Sequence, residues 1–344
     1  MKNNIEQYIN QNILVETTSF QENNLLNNNS NIEYTKNNIF HAILDFIISE
    51  NNSLNKMDYL TLFYTYEKLL DHARMRDYNI CEYYVDKINF LHKEVEFDSN
   101  LSFQGMNSLY NPAIGYYYYS IKDFDQSIQH MLSSIQNINE LINYGFHDAT
   151  FIKIEQYLNI FRLYYDFQLS NEAVQYAINV INYILGEVNY HFEEYPIEKV
   201  IRNENQYNEI IIIFFNAIIF KILRNYSDVN DIFKDNTLRI FFSSLFYSDE
   251  KSKNYIFEAI DLLKNIFERD LDSEYFCQII CNKEVLFNTK VPSSIRFILF
   301  RFILNKMNFS ETTKEVISKY EDDILLKNEK NRILFVKNNH KNLV

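Results

Sequence analysis

The stretch "YYYYSIKDFDQSIQHMLSSI", residues 116–135, decides the fold. Four consecutive tyrosines run into a short polar turn, and small side chains then recur at regular spacing. On a helix, neighbouring residues point about 100° apart, so Tyr116 to Tyr119 cannot share one face. The pattern reads as a helix end, a turn and a second helix.

Two other stretches lie over it without a gap, "HARMRDYNICEYYVDKI" and "YYDFQLSNEAVQYAINVI". Cys81, Ser127 and Ala173 align at a constant step of 46 residues. The same step pairs Ala73 with Tyr119 and Tyr165, Tyr78 with Phe124 and Ser170, and Val85 with Met131 and Ala177. A repeat of this length predicts stacked helix pairs, because one pair cannot bury its apolar face alone. The expected fold is all-α, a superhelical stack of antiparallel helix pairs with a less regular helical C-terminal half.

Composition agrees with helices joined by short turns. Four Gly and three Pro in 344 residues is far below the usual ~7% and ~5%, which leaves few positions for tight hairpins. Gly105, Gly115, Gly145 and Gly186 are isolated, so glycine-rich phosphate or dinucleotide loops are absent from the sequence. The net charge of −13, with only Lys2 and Lys36 as basic groups among the first fifty residues, argues against nucleic-acid binding. The apolar run Ile210–Phe220 is too short for the ~20 residues that cross a bilayer, and reads as a helix buried on all sides. No secretory signal pattern opens the chain, and three cysteines make no disulfide framework, so a cytoplasmic location is expected.

Asn111–Ile135 resembles a tetratricopeptide repeat. The residues that carry the resemblance are the small Gly115, the aromatic Tyr118, the Asp123-Phe124 pair at the turn, and Ser127 and Ser134 seven residues apart. Small residues there let two helices approach to the ~8–10 Å of close packing, and the turn aromatic plugs the joint between units. The resemblance covers roughly residues 57–190. Leu69, Phe161 and Ser170 depart from it, and the step of 46 exceeds the family's roughly 34.

The resemblance implies a concave binding strip. Tyr116 and Tyr119 fall on its positions, with Leu70 and Ala73 equivalent in the preceding unit and Arg162 and Tyr165 in the following one. Arg74 and Asp166 flank the strip, and Tyr66 extends it. Tyrosine with a few arginines suits peptide recognition, since Tyr offers large amphipathic contact at low entropy cost. The expectation is a non-catalytic protein- or peptide-binding scaffold or regulator, without cofactor, metal or catalytic residues, and with its oligomeric state open. Peptide-pheromone receptors of bacteria are a related possibility, although the N-terminal module they carry has no clear equivalent here.

The expected organisation is an Asn-rich arm over 1–37, repeats over 38–190 and a C-terminal helical region over 191–344 that caps the stack. An all-α enzyme resembling terpene synthases would use Asp322 and Asp323, but the facing segment "SDVNDIFKDN" lacks the second metal-binding spacing. Seven histidines form no HExxH pair. Cys277 and Cys281, four residues apart in "CQIIC", read as core, and the basic tail from Lys327 as a solvated helix end.

Overall fold

Three joints of the same backbone design organise residues 56–186. The computed structural model describes residues 36–51, 56–186, 200, 204–224, 226, 232–233, 236–247, 255–268, 283–286, 288, 290–306, 310–317 and 319. The N-terminal arm through residue 35, Cys277, Cys281, Asp322, Asp323 and the basic tail lie outside the described residues. Those described are helical or in turns, with no strand among them. The chain divides into two compact units, one spanning Asn31–Asn203 and the other including Glu204–Val344.

The first unit holds α1 (Lys36–Asn51), α2 (Lys56–Met75), α3 (Tyr78–Glu94), α4 (Asn100–Ser120), α5 (Phe124–Asn143), α6 (Ala149–Asp166) and α7 (Ser170–Ile184). The starts of α3, α5 and α7 are each 46 residues apart, which places Cys81, Ser127 and Ala173 fourth in their helices, all fully buried. The turns before them match bond for bond. Arg76, Lys122 and Gln168 take left-handed φ values of 58°, 65° and 64°. The next residue's amide in each turn reaches back five residues, Asp77 to His72, Asp123 to Tyr118 and Leu169 to Tyr164, at 2.9–3.0 Å. A second bond spans three residues, Arg76 to Ala73, Lys122 to Tyr119 and Gln168 to Tyr165. This pair of bonds closes a helix on a left-handed residue and satisfies its last carbonyls. The closing residue then opens the next helix, its carbonyl accepting from Cys81, Ser127 or Ala173.

The helices pack α2 on α3 and α4, α4 on α5, α5 on α6, and α6 on α7, with α1 laid against α2, α4 and α6. The tightest crossing joins α4 and α5. Ser127 Oγ donates to Gly115 O at 2.8 Å, and Ser134 Oγ to Ser108 O at 3.3 Å, so contacts advance along α5 as they retreat along α4. A side chain on Gly115 would stand 3.0 Å from Met131 Cε and 3.2 Å from His130 Cβ. Ser134 also answers a local need. Pro112 sits inside α4 without an amide hydrogen, which leaves the carbonyl four residues earlier, that of Ser108, without its ladder donor. The serine hydroxyl of the facing helix supplies one.

The joint residue Phe124 packs on Tyr164 and Phe167 of the next unit, with ring centroids 5.3 and 4.9 Å away. Tyr78, its equivalent one step earlier, donates through its hydroxyl to Ser120 O at 3.0 Å. Both tie a turn to the helix end of the following unit.

The second unit holds α8 (Glu204–Leu223), α9 (Asn236–Ser243), α10 (Tyr255–Glu268), α11 (Lys283–Leu286) and α12 (Ser293–Lys306). Along α8, Ile211, Phe215, Ile218, Ile219 and Ile222 form a fully buried stripe at helical spacing. The expectation of burial on all sides is corrected here: Ile213, on the opposite face, is 53% exposed. No described helix is long and apolar enough to cross a membrane. Asn216 Oδ1 of α8 accepts the Ser294 amide at 2.9 Å, capping the first turn of α12. Pro292 directly precedes that turn, and its carbonyl accepts from Ile295 and Arg296. Ala259 of α10 is fully buried beside Ile256, Ile260 and Leu263.

Candidate functional site

The C-terminal ends of α4 and α6 bring four of the seven strip residues together. Tyr119 Oη donates to Asp166 Oδ2 at 2.6 Å across 47 residues of sequence, joining the first helices of successive units. The Tyr116 ring meets that of Tyr119 edge-on at 5.7 Å. Arg162, one turn before Asp166 on α6, lies close enough to Tyr119 to influence its phenol and donates to Asn159 Oδ1 at 2.9 Å. Burial pushes the Tyr119 phenol well above its ordinary value, with the Asp166 carboxylate adding to the effect. The hydroxyl therefore stays a donor throughout the physiological range. Tyr116, Tyr119 and Arg162 are half-buried and Asp166 is exposed.

The other three residues lie elsewhere. Arg74 is exposed at the end of α2 and paired at 3.5 Å with Asp71, a surface contact of little energetic weight. Tyr66 and Tyr165, expected on the open strip, are core residues at 2% and 6% exposure. The Tyr66 hydroxyl meets His92 Nε2, and its ring packs on Tyr110 at 5.9 Å. Tyr165 packs on Phe161 at 5.7 Å. Tyr165 stands at the same step as Tyr119, but the two helices are covered differently: the preceding pair meets α4 through its first helix, α2, and α6 through its second, α5.

Within the tyrosine run the roles separate by angle. Tyr117 is buried against the core shared by α1, α2 and α3, while Tyr118 turns into its own helix pair and stacks on His130 of α5. That stack recurs in every unit. His72 on Tyr84, Tyr118 on His130 and Tyr164 on Tyr176 have centroids 5.5, 5.5 and 5.4 Å apart and planes within 22°. Both members follow the step of 46 residues. The sequence held this signal, but tyrosine and histidine exchange places in it, so matching residue types does not reveal it.

His92 closes a second aromatic group with Tyr66, Tyr110 and Phe97. Burial lowers its pKa to about 4, so the ring that shares a hydrogen bond with the Tyr66 hydroxyl is neutral, and burial pushes the Tyr66 phenol up. Among the described residues no three His, Cys, Asp or Glu side chains are placed to hold a metal ion. Cys81 is enclosed, and its thiol is pushed up to about 11 by burial and then by Asp77 and Glu82, which disfavours the reactive thiolate. The arrangement at Tyr116, Tyr119, Arg162 and Asp166 brings hydrogen-bond donors, a carboxylate and aromatic edges together at the ends of two helices. No family model, curated protein or solved structure matches the chain.

Proposed function

We propose that residues 56–186 are a stack of tetratricopeptide-like helix pairs and that the chain is a non-catalytic binding protein, its strip at Tyr116, Tyr119, Arg162 and Asp166 receiving an extended peptide segment. The observation that carries the reading is the Tyr119–Asp166 hydrogen bond, which joins the C-terminal ends of the first helices of consecutive pairs. The recurring joints and ring stacks support the reading of repeated helix pairs, since the same backbone turn and the same ring contact return at a constant step of 46 residues. The strip combines half-buried aromatic surface with charges of both signs, the composition that gives a few residues most of an interface's energy.

The test is selection of a display library of random linear peptides on the full chain, repeated on a variant carrying Tyr119→Phe, Arg162→Ala and Asp166→Ala. Enriched peptides should bind the wild-type chain and lose about tenfold or more in affinity, ~1.4 kcal/mol, on the variant. The variant's thermal midpoint should fall only by what one part-exposed hydrogen bond contributes, about 1 kcal/mol, because Tyr119 and Arg162 are half-buried and Asp166 is exposed. Peptides that bind both chains equally would place the binding surface elsewhere and end this assignment.

A further inference from the structure

One helix breaks the repeat on its outer face. In α5, Gln126, Gln129, Ser133 and Gln136 follow the spacing i, i+3, i+7, i+10, and α7 carries Glu172, Gln175, Asn179 and Asn182 at the same places, Asn182 alone of them being buried. The equivalents in α3 are Ile80, Tyr83, Lys87 and Phe90. Ile80, Tyr83 and Phe90 are 37%, 60% and 62% exposed, and α3 packs chiefly on α2, on its other side. Three large apolar side chains thus stand in water where both sister helices put amides or acids. Core packing within the unit does not account for them, because the inward face of α3 is made by Cys81 and Ile88, both fully buried.

The spacing has its own meaning. A 3-4-3 pattern is the narrow seam that one helix presents to another helix, rather than the broad stripe it presents to a core. Lys87 in the middle of an apolar seam needs an anion beside it once covered. With 100° of rotation per residue, Asp86 lies on one flank of the Tyr83–Phe90 line and Lys87 on the other. A twofold axis running along the seam brings opposite flanks together, so each copy's Asp86 comes beside Lys87 of the other copy. The seam is its own complement.

We propose that the chain self-associates through α3, with Ile80, Tyr83 and Phe90 packing against the same residues of a second copy and Asp86–Lys87 pairs closing both edges. One helix seam is a small interface, so the dimer is a reversible one. It uses a different face from the peptide strip and does not depend on that reading.

Sedimentation velocity on the full chain tests it. The wild-type chain should pass from monomer to dimer as its concentration rises to roughly 100 µM, well above a micromolar Kd. The variant Ile80→Gln, Tyr83→Gln, Phe90→Gln, which copies α5, should remain monomeric with an unchanged helical circular-dichroism signal. Asp86→Lys and Lys87→Asp should each weaken self-association by about tenfold, and an equimolar mixture of the two should form a heterodimer, since opposite charges then face each other again. A wild-type monomer across the whole range, a glutamine variant that dimerises like wild type, or a mixture that forms no heterodimer would overturn the proposal.

Discussion

Ser127 sits at the closest approach of α4 and α5, and three substitutions there separate the contributions of hydrogen bonding and space. Ser127→Ala removes the hydroxyl that donates to Gly115 O but opens no large void. The Gly115 carbonyl lies inside α4 and keeps its ladder partner, so the cost is about 1 kcal/mol or less. Ser127→Cys places at this position the residue that the preceding unit carries at Cys81, with a bulkier sulfur, and should cost about 1 kcal/mol. Ser127→Leu adds three carbons where the existing side chain is fully buried and the opposing wall is the backbone of Gly115. Backbone cannot rotate away as a side-chain tip can, so overpacking of ~1–3 kcal/mol adds to the lost hydrogen bond, giving roughly 2–4 kcal/mol. Urea unfolding followed by circular dichroism measures the series, with the midpoint of the first unit's transition as the readout. The order Ala, Cys, Leu should be monotonic. A leucine variant as stable as the alanine one would refute the tight crossing, and with it the use of small residues as markers of the repeat.

Stability should also respond to acid through His92. Its folded-state pKa is lowered from the ordinary 6.5 to about 4, so the unfolded chain binds the proton more readily between those values. Stability is then full above pH 6.5, declines as pH falls, and stops declining on this account near pH 4, a total of about 3 kcal/mol at most. His92→Phe should flatten the melting temperature against pH across that window, and parallel profiles for the two proteins would remove His92 from the argument. At the joints, Lys122 bears a side chain at φ 65°, a conformation that costs about 1 kcal/mol outside glycine. Lys122→Gly should therefore raise the urea midpoint by the equivalent of ~0.5–1 kcal/mol, while Lys122→Val lowers it; a glycine variant less stable than wild type would contradict the left-handed turn.

Much of the first unit could be read from residue types because its joints are local. A helix stop, a left-handed residue and a new start lie within a few positions, and Cys81, Ser127 and Ala173 mark the depth at which each new helix is buried. What surrounds a helix is not local. Tyr165 occupies the same step as Ala73 and Tyr119, yet it is buried because the faces around α6 are covered differently from those around α4. Tyr66 fell to the core for a related reason: its hydroxyl is matched by His92, a partner 26 residues away that no motif announces. The pairing of Tyr119 with Asp166 was half visible, since both residues stood on the expected strip, but their contact depends on two helices meeting end by end. The apolar face of α3 was present in the letters from the start. It becomes visible only when its outward positions are compared with those of α5 and α7, after burial has said which positions point outward.

The three left-handed joints carry one more consequence, for how such a chain changes its length. Each begins and ends with bonds that reach no more than five residues along the backbone. Genetic exchange between two of these points would gain or lose a whole 46-residue block while every joint kept its own backbone bonds. Insertions within α4 or α5 would shift the register of their crossing, whereas the connections at 95–99 and 144–148 lie outside it. Duplication and loss in whole blocks is thus a mode of change that leaves these turns intact, with the outward face of each new copy free to diverge.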